Sequence, residues 1–89
     1  MQMDGAIVSE QGQTFAIVIV KQYVTASSSE AASVRAAFQS QIRDFRGIPL
    51  ILASQDSRGV FEYQGRRDIV NFLASIDASR IPWKRYTYS

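Results

Sequence analysis

Two stretches of this chain hold the residues best suited to binding chemistry, and both are rich in arginine. The first is Gly65-Arg66-Arg67-Asp68. It stands ahead of an apolar periodicity (Ile69, Phe72, Leu73, Ile76), and so at the start of a helix. The first N–H groups of a helix lack intrahelical partners and carry the positive end of its dipole. Two guanidinium groups added there make a candidate cradle for an anion or phosphate. Like charge at that end costs about 0.3–1 kcal/mol per group unless a carboxylate or ligand answers it. Asp68, in the first turn, and Glu62 are the internal groups able to do so.

The second stretch, Arg80-Ile81-Pro82-Trp83-Lys84-Arg85-Tyr86-Thr87-Tyr88, interleaves cations with rings, and no acidic residue follows Asp77. Rings that stack bases and cations that meet phosphates are what a single-stranded nucleic-acid surface uses. Trp, Tyr and Arg are also the residues that carry protein interfaces. The plain structural alternative is an edge strand with Trp83 folded into the core. The candidate binding residues are therefore Arg66, Arg67, Trp83, Lys84, Arg85 and Tyr86. No RNP-type motif occurs, which places nucleic acid behind protein contact.

Two further features have weaker readings. Arg35, Gln39, Arg43 and Arg46 share one side of the first long helix and read as a solvated face. Lys21, with Gln22 and Tyr23, ends the most apolar strand, and ligands of open α/β sheets bind outside the carboxyl ends of strands.

The chain contains no cysteine and no histidine. Thiol chemistry, histidine general-base work and the nitrogen and sulfur ligand sets of zinc sites are thereby excluded. The carboxylates show no D-x-D or E-x-x-E pairing, and there is no P-loop, G-x-G-x-x-G or G-x-S-x-G. The expectation is a protein that is not an enzyme, with no catalytic residues, no metal site and no cofactor.

The elements that must position these residues follow from periodicity. Gly5–Ser9 is a β-prone run, and Gln11-Gly12-Gln13 a tight turn. Thr14–Val20 is almost continuously apolar, as a strand covered on both faces would be. Ser27 and Glu30 fit a capping box. Val34, Phe38, Ile42 and Phe45 then continue at helical spacing to a stop at Gly47 and Pro49. Leu50–Ala53 is a second apolar strand, and Asp56-Ser57-Arg58-Gly59 a type I turn with a glycine-assisted bulge. Val60–Gln64 alternates, Arg67–Ile76 is amphipathic, and Trp83–Tyr88 suits an edge strand. The fold class is α/β (α+β): a mixed four- to five-stranded sheet, order β-β-α-β-β-α-(β), with two packed amphipathic helices. The Thr14–Val20 and Leu50–Ala53 strands are expected to be parallel neighbours. Residues 1–89 read as a single domain, with 78–89 an edge strand or tail.

The stretch Gly47–Ile76 resembles the C-terminal half of thioredoxin-like proteins, including glutaredoxins. Ile48-Pro49 would open the apolar strand, a hairpin would follow, and Gly65 would lead into the last helix. The family's Cys-x-x-Cys would fall near Tyr23–Ser28, where no cysteine stands. The resemblance implies a cis bond before Pro49 and a shallow peptide groove flanked by Ile48, Pro49 and Gly65. It implies fold, not redox activity.

The 89 residues, 46% hydrophobic and 20% charged, suit a folded domain rather than a disordered one. Net charge is +2, the balance of eight arginines and the two lysines Lys21 and Lys84 against eight Asp and Glu. The opening residues read as no secretory leader. The longest apolar run, Phe15–Val20, is far short of the ~20 residues of a membrane helix. A cytoplasmic, membrane-free protein is expected. Its expected function is a small non-enzymatic interaction module, contacting a protein partner or itself as a homodimer. The alternative is nucleic-acid or anion binding through the Arg66/Arg67 turn and the C-terminal tail.

Overall fold

The computed structural model describes residues 2–10 and 12–87. Met1, Gln11 of the first turn, and Tyr88 and Ser89 of the tail lie outside the described residues. β1 (Gln2–Glu10) and β2 (Gln13–Ile19) form an antiparallel hairpin, in register from Gly5 opposite Val18 to Glu10 opposite Gln13. β3 (Leu50–Gln55) lies parallel to β2, with Ala16 opposite Leu50 and Ile19 opposite Ala53. β4 (Phe61–Gln64) pairs antiparallel with β3. β5 (Lys84–Thr87) pairs antiparallel with β1 at the far edge. The sheet order is β4-β3-β2-β1-β5, a mixed five-stranded sheet of the expected class.

The central strands read as unbroken apolar runs because both of their faces are covered. Ala16, Val18, Leu50 and Leu52 turn to one face, beneath α2 (Ser28–Gln41). Phe15, Ile17, Ile51 and Ala53 turn to the other, beneath α3 (Arg67–Ala74). The two helices thus lie on opposite faces, and the layers run helix, sheet, helix.

A short helix absent from the sequence reading, α1 (Gln22–Thr25), lies between β2 and α2. It is tied to the sheet through fully buried Ser54, whose Oγ lies 2.8 Å from Thr25 Oγ1. Thr25 Oγ1 donates its proton to the Gln22 carbonyl at 3.1 Å, so Ser54 is the donor in the inner bond. Ser27 caps α2 by accepting from the Glu30 N–H at 3.3 Å. Its own N–H donates to the Val24 carbonyl of α1, the bond a capping box would have given to Glu30.

The expected helix through Phe45 stops earlier. α2 ends at Gln41, Ile42 is extended (φ −109°, ψ 110°), and Arg43–Phe45 form a single 3-10 turn. A continued helix would carry the chain onward along its axis. The extended Ile42 instead turns it back to the sheet, burying Ile42 and seating Phe45 with its ring centroid 5.0 Å from that of Tyr86. The Asp56–Gly59 turn forms as expected: Asp56 Oδ1 accepts from the Arg58 and Val60 N–H groups, and Gly59 takes φ +82°.

The chain leaves α3 on the β4 side and must reach β5 at the opposite edge. Four strand spacings separate those edges, roughly 19 Å. The segment from Asp77 to Trp83 makes this crossing over the α3 face, with one 3-10 turn (Ala78–Arg80) and buried Ile81 as its anchor. α3, with eight residues, covers only part of that face, so the crossing segment roofs the remainder.

Candidate binding surface at one end of the sheet

Where β2 and β3 end, the α3 face opens into a cleft of about 500 Å³. Ile19 and Gln55, the last residues of β2 and β3, close its floor, with Asp4 of β1 and Arg85 of β5 beside them. Phe61, Ala78, Ser79, Trp83 and Lys84 complete the lining. Trp83 and Phe61 meet across this end of the sheet, with rings 5.8 Å apart between centroids and 11° from parallel. Phe61 stacks in turn on Tyr63, at 6.0 Å and 4°. Trp83 is held in place because its indole Nε1 donates to the Ala78 carbonyl at 3.1 Å. Burial raises the Tyr63 phenol above its ordinary pKa, and the nearby Asp77 charge adds to this.

A second hollow adjoins the first through Asp4, Ile19 and Arg85, on the α2 face. Lys21 and Tyr23 stand on it, and Tyr23 is 63% exposed. Lys21, just past the carboxyl end of β2 where ligands of open α/β sheets lie, thus shares this hollow with Arg85 of the tail. Arg85 Nε donates to Asp4 Oδ1 at 2.8 Å and Nη1 to Gln2 Oε1 at 3.1 Å. The Lys84 ammonium lies 4.8 Å from the centroid of the Tyr86 ring. Tyr86 itself is only 7% exposed and packs on Phe45, so it supports the surface from within the core.

The Arg66/Arg67 turn does not join this surface. Arg66 donates to both carboxylate oxygens of Asp68, at 2.8 and 2.7 Å. This pair holds the Asp68 carboxyl below the ordinary aspartate range. The guanidinium also donates to the side-chain carbonyl of Gln13, the first residue of β2. The cleft adjoins Ile19, six residues along the same strand and so roughly 20 Å away. Arg67 is exposed. The structure therefore unites Trp83, Lys84 and Arg85, and leaves Arg66 and Arg67 at the other end.

Around Ile48, Pro49 and Gly65 the space is occupied from within. The Ile48–Pro49 bond is trans. Gln39 Nε2 donates to the Ile48 carbonyl at 2.9 Å, and the Pro49 carbonyl accepts from the Ala16 N–H at 2.8 Å. Arg35 donates from Nε to the Leu50 carbonyl at 2.8 Å and from Nη2 to the Gln64 carbonyl at 3.1 Å and to Gln64 Oε1. Gly65 leaves room for this: a Cβ there would lie 3.4 Å from Arg35 Nη2 and 2.6 Å from Ile51 Cδ1.

Arg35 and Gln39 thus face inward, contrary to their reading as a solvated stripe. The signal was present in the spacing. Ala31, Val34, Arg35, Phe38, Gln39 and Ile42 form one i, i+3, i+4 stripe, and it is the stripe that meets the sheet. Asp4, Ile19, Gln55, Phe61 and Ser79 were also missed as lining residues. Applying the strand-end rule to β3 as well as β2 would have found Gln55. No family model, curated protein or solved structure matches this chain. Among the described residues, no helix is long and apolar enough to cross a membrane.

Proposed function

We propose that this chain is a non-enzymatic interaction module that makes protein contacts, with a partner or with a second copy of itself, through the sheet end formed by Phe61, Trp83 and Arg85. The observation that carries this reading is the cleft itself, an open hollow of about 500 Å³ whose lining combines the stacked Phe61 and Trp83 rings with polar and charged groups. Aromatic anchors within a polar rim are the arrangement from which interface energy comes. Chemistry finds less support there. Asp4, the carboxylate of the cleft, is held by Arg85, and Gln55 donates to the Gly59 carbonyl.

Nucleic-acid or anion binding is the second reading, favoured by Lys84 and Arg85 standing next to Trp83. Against it, Arg58, Arg66 and Arg85 each have a carboxylate of this chain within 3.3 Å. That leaves a thin electrostatic footprint for a phosphate backbone. The two readings separate in one pair of measurements. Amide spectra of labelled protein are recorded during titration with a mixed-sequence RNA oligonucleotide at low salt, and sedimentation equilibrium is run over a wide range of concentration and salt. Protein contact predicts unmoved amides with RNA. The self-association branch further predicts a concentration-dependent mass that salt leaves largely intact. Shifts at Trp83, Lys84 and Arg85 that fade as salt rises would replace the first reading with the second.

A further inference from the structure

We infer that the occupant of the cleft is an acidic segment of a partner protein that adds an aromatic side chain to the Phe61–Trp83 stack; this rests on the protein-contact reading above. Charge points the same way on both sides of the sheet end. Among the described residues, Lys21, Lys84 and Arg85 border the two adjoining hollows, against one carboxylate, Asp4, which Arg85 already holds at 2.8 Å. Lys21 and Lys84 are the only lysines of the chain, both are exposed, and both stand at this end. An ammonium on a flexible stem accepts carboxylates from many directions, whereas a guanidinium demands a planar pair. Two such groups suit an acidic segment whose carboxylates vary in position. They are too few to follow a phosphate track, which needs many neutralising contacts.

The rings supply the second half of the match. Trp83 and Phe61 lie within 11° of parallel, and the Trp83 indole is fixed by its bond to Ala78. A ring entering the cleft meets a stack already ordered, so little side-chain freedom is lost on binding. Gln55 borders the same cleft and, with its amide N–H given to the Gly59 carbonyl, keeps a side-chain oxygen able to accept from a peptide backbone N–H.

The test presents the whole chain to a phage-displayed library of random peptides. The expected result is enrichment of sequences with an aromatic residue beside at least two Asp or Glu. The most enriched peptide is then titrated into the protein, with Trp83 emission as the readout. The paired substitution Lys21→Glu with Lys84→Glu should weaken binding by about tenfold or more while the circular dichroism stays unchanged. Lys21→Gln with Lys84→Gln serves as the milder variant and should weaken it less. Enrichment of basic or uncharged peptides, or binding indifferent to both lysine pairs, would overturn the acidic assignment and leave the protein-contact reading standing. A library that yields nothing above the bare support, together with a mass independent of concentration, would remove both.

Discussion

Arg35 donates to two backbone carbonyls from different strands, Leu50 of β3 and Gln64 of β4, and its burial lowers the guanidinium below its ordinary pKa. Its positive charge serves as a staple at the strand ends, where β4 stops short of the start of β3. Replacing it with Met keeps much of the stem but strands the two acceptors. Such losses run to about 1–3 kcal/mol. Urea denaturation of Arg35→Met should show that loss, and Arg35→Lys should recover only part of it. A wild-type midpoint for Arg35→Met would show that water satisfies those carbonyls equally well. Arg66 and Arg67 differ from Arg35 and from each other. The sequence alone marks both as frustrated at the positive end of a helix dipole, so that removing both should raise thermal stability. The structure divides them, because Asp68 grips Arg66 with two bonds. Arg67→Ala is therefore expected to raise the melting temperature slightly, and Arg66→Ala to leave it unchanged or lower it. The reverse order in a thermal scan would contradict the pairing seen here.

The Asp56–Gly59 turn shows how an element converts side-chain chemistry into pH dependence. N–H bonds from Val60 and then Arg58 lower the Asp56 carboxyl below its ordinary value, which is about 3.9. Asp68 is lowered by Arg66, and Asp77 by the Ser79 N–H. A carboxyl depressed in the folded state stabilises the protein at pH above its unfolded value. That contribution is lost as pH falls through the folded value. Urea midpoints should therefore decline as the solution is acidified below about pH 4. Asp56→Asn should be less stable than wild type at neutral pH and lose less on acidification. An acid profile identical to wild type would remove Asp56 from this account. This turn was legible in the sequence because Asp56 and Gly59 each have a local reason to be there. The end of α2 was not, because the break at Ile42 depends on where the sheet lies, which no local pattern carries. α1, at four residues, is too short to show a period. The cleft was legible by halves. Trp83, Lys84 and Arg85 announce themselves by composition. Asp4, Gln55 and Phe61 come together only when three strands reach the same level, a property of register rather than of residue type.

At the scale of the whole molecule, two apolar clusters lie on opposite faces of one sheet, yet they are not independent. β2 gives Ala16 and Val18 to one and Phe15 and Ile17 to the other, and β3 divides its side chains in the same way. Neither cluster can be lost without releasing strands that the other needs, so unfolding should be a single transition. Leu52 and Leu73 allow this to be tested one face at a time, since both are fully buried, one in each cluster. Truncating a buried Leu to Ala costs about 2–5 kcal/mol. Trp83, the only tryptophan, belongs to the α3 face and reports that face alone, while far-ultraviolet circular dichroism reports the whole chain. Leu52→Ala lies across the sheet from Trp83, yet it should shift the fluorescence and dichroism midpoints together and by the same amount. Leu73→Ala should do likewise. If Leu52→Ala moved the dichroism while Trp83 emission kept its wild-type midpoint, the two faces would be separately stable layers. The shared strands β2 and β3 would then not be what couples them.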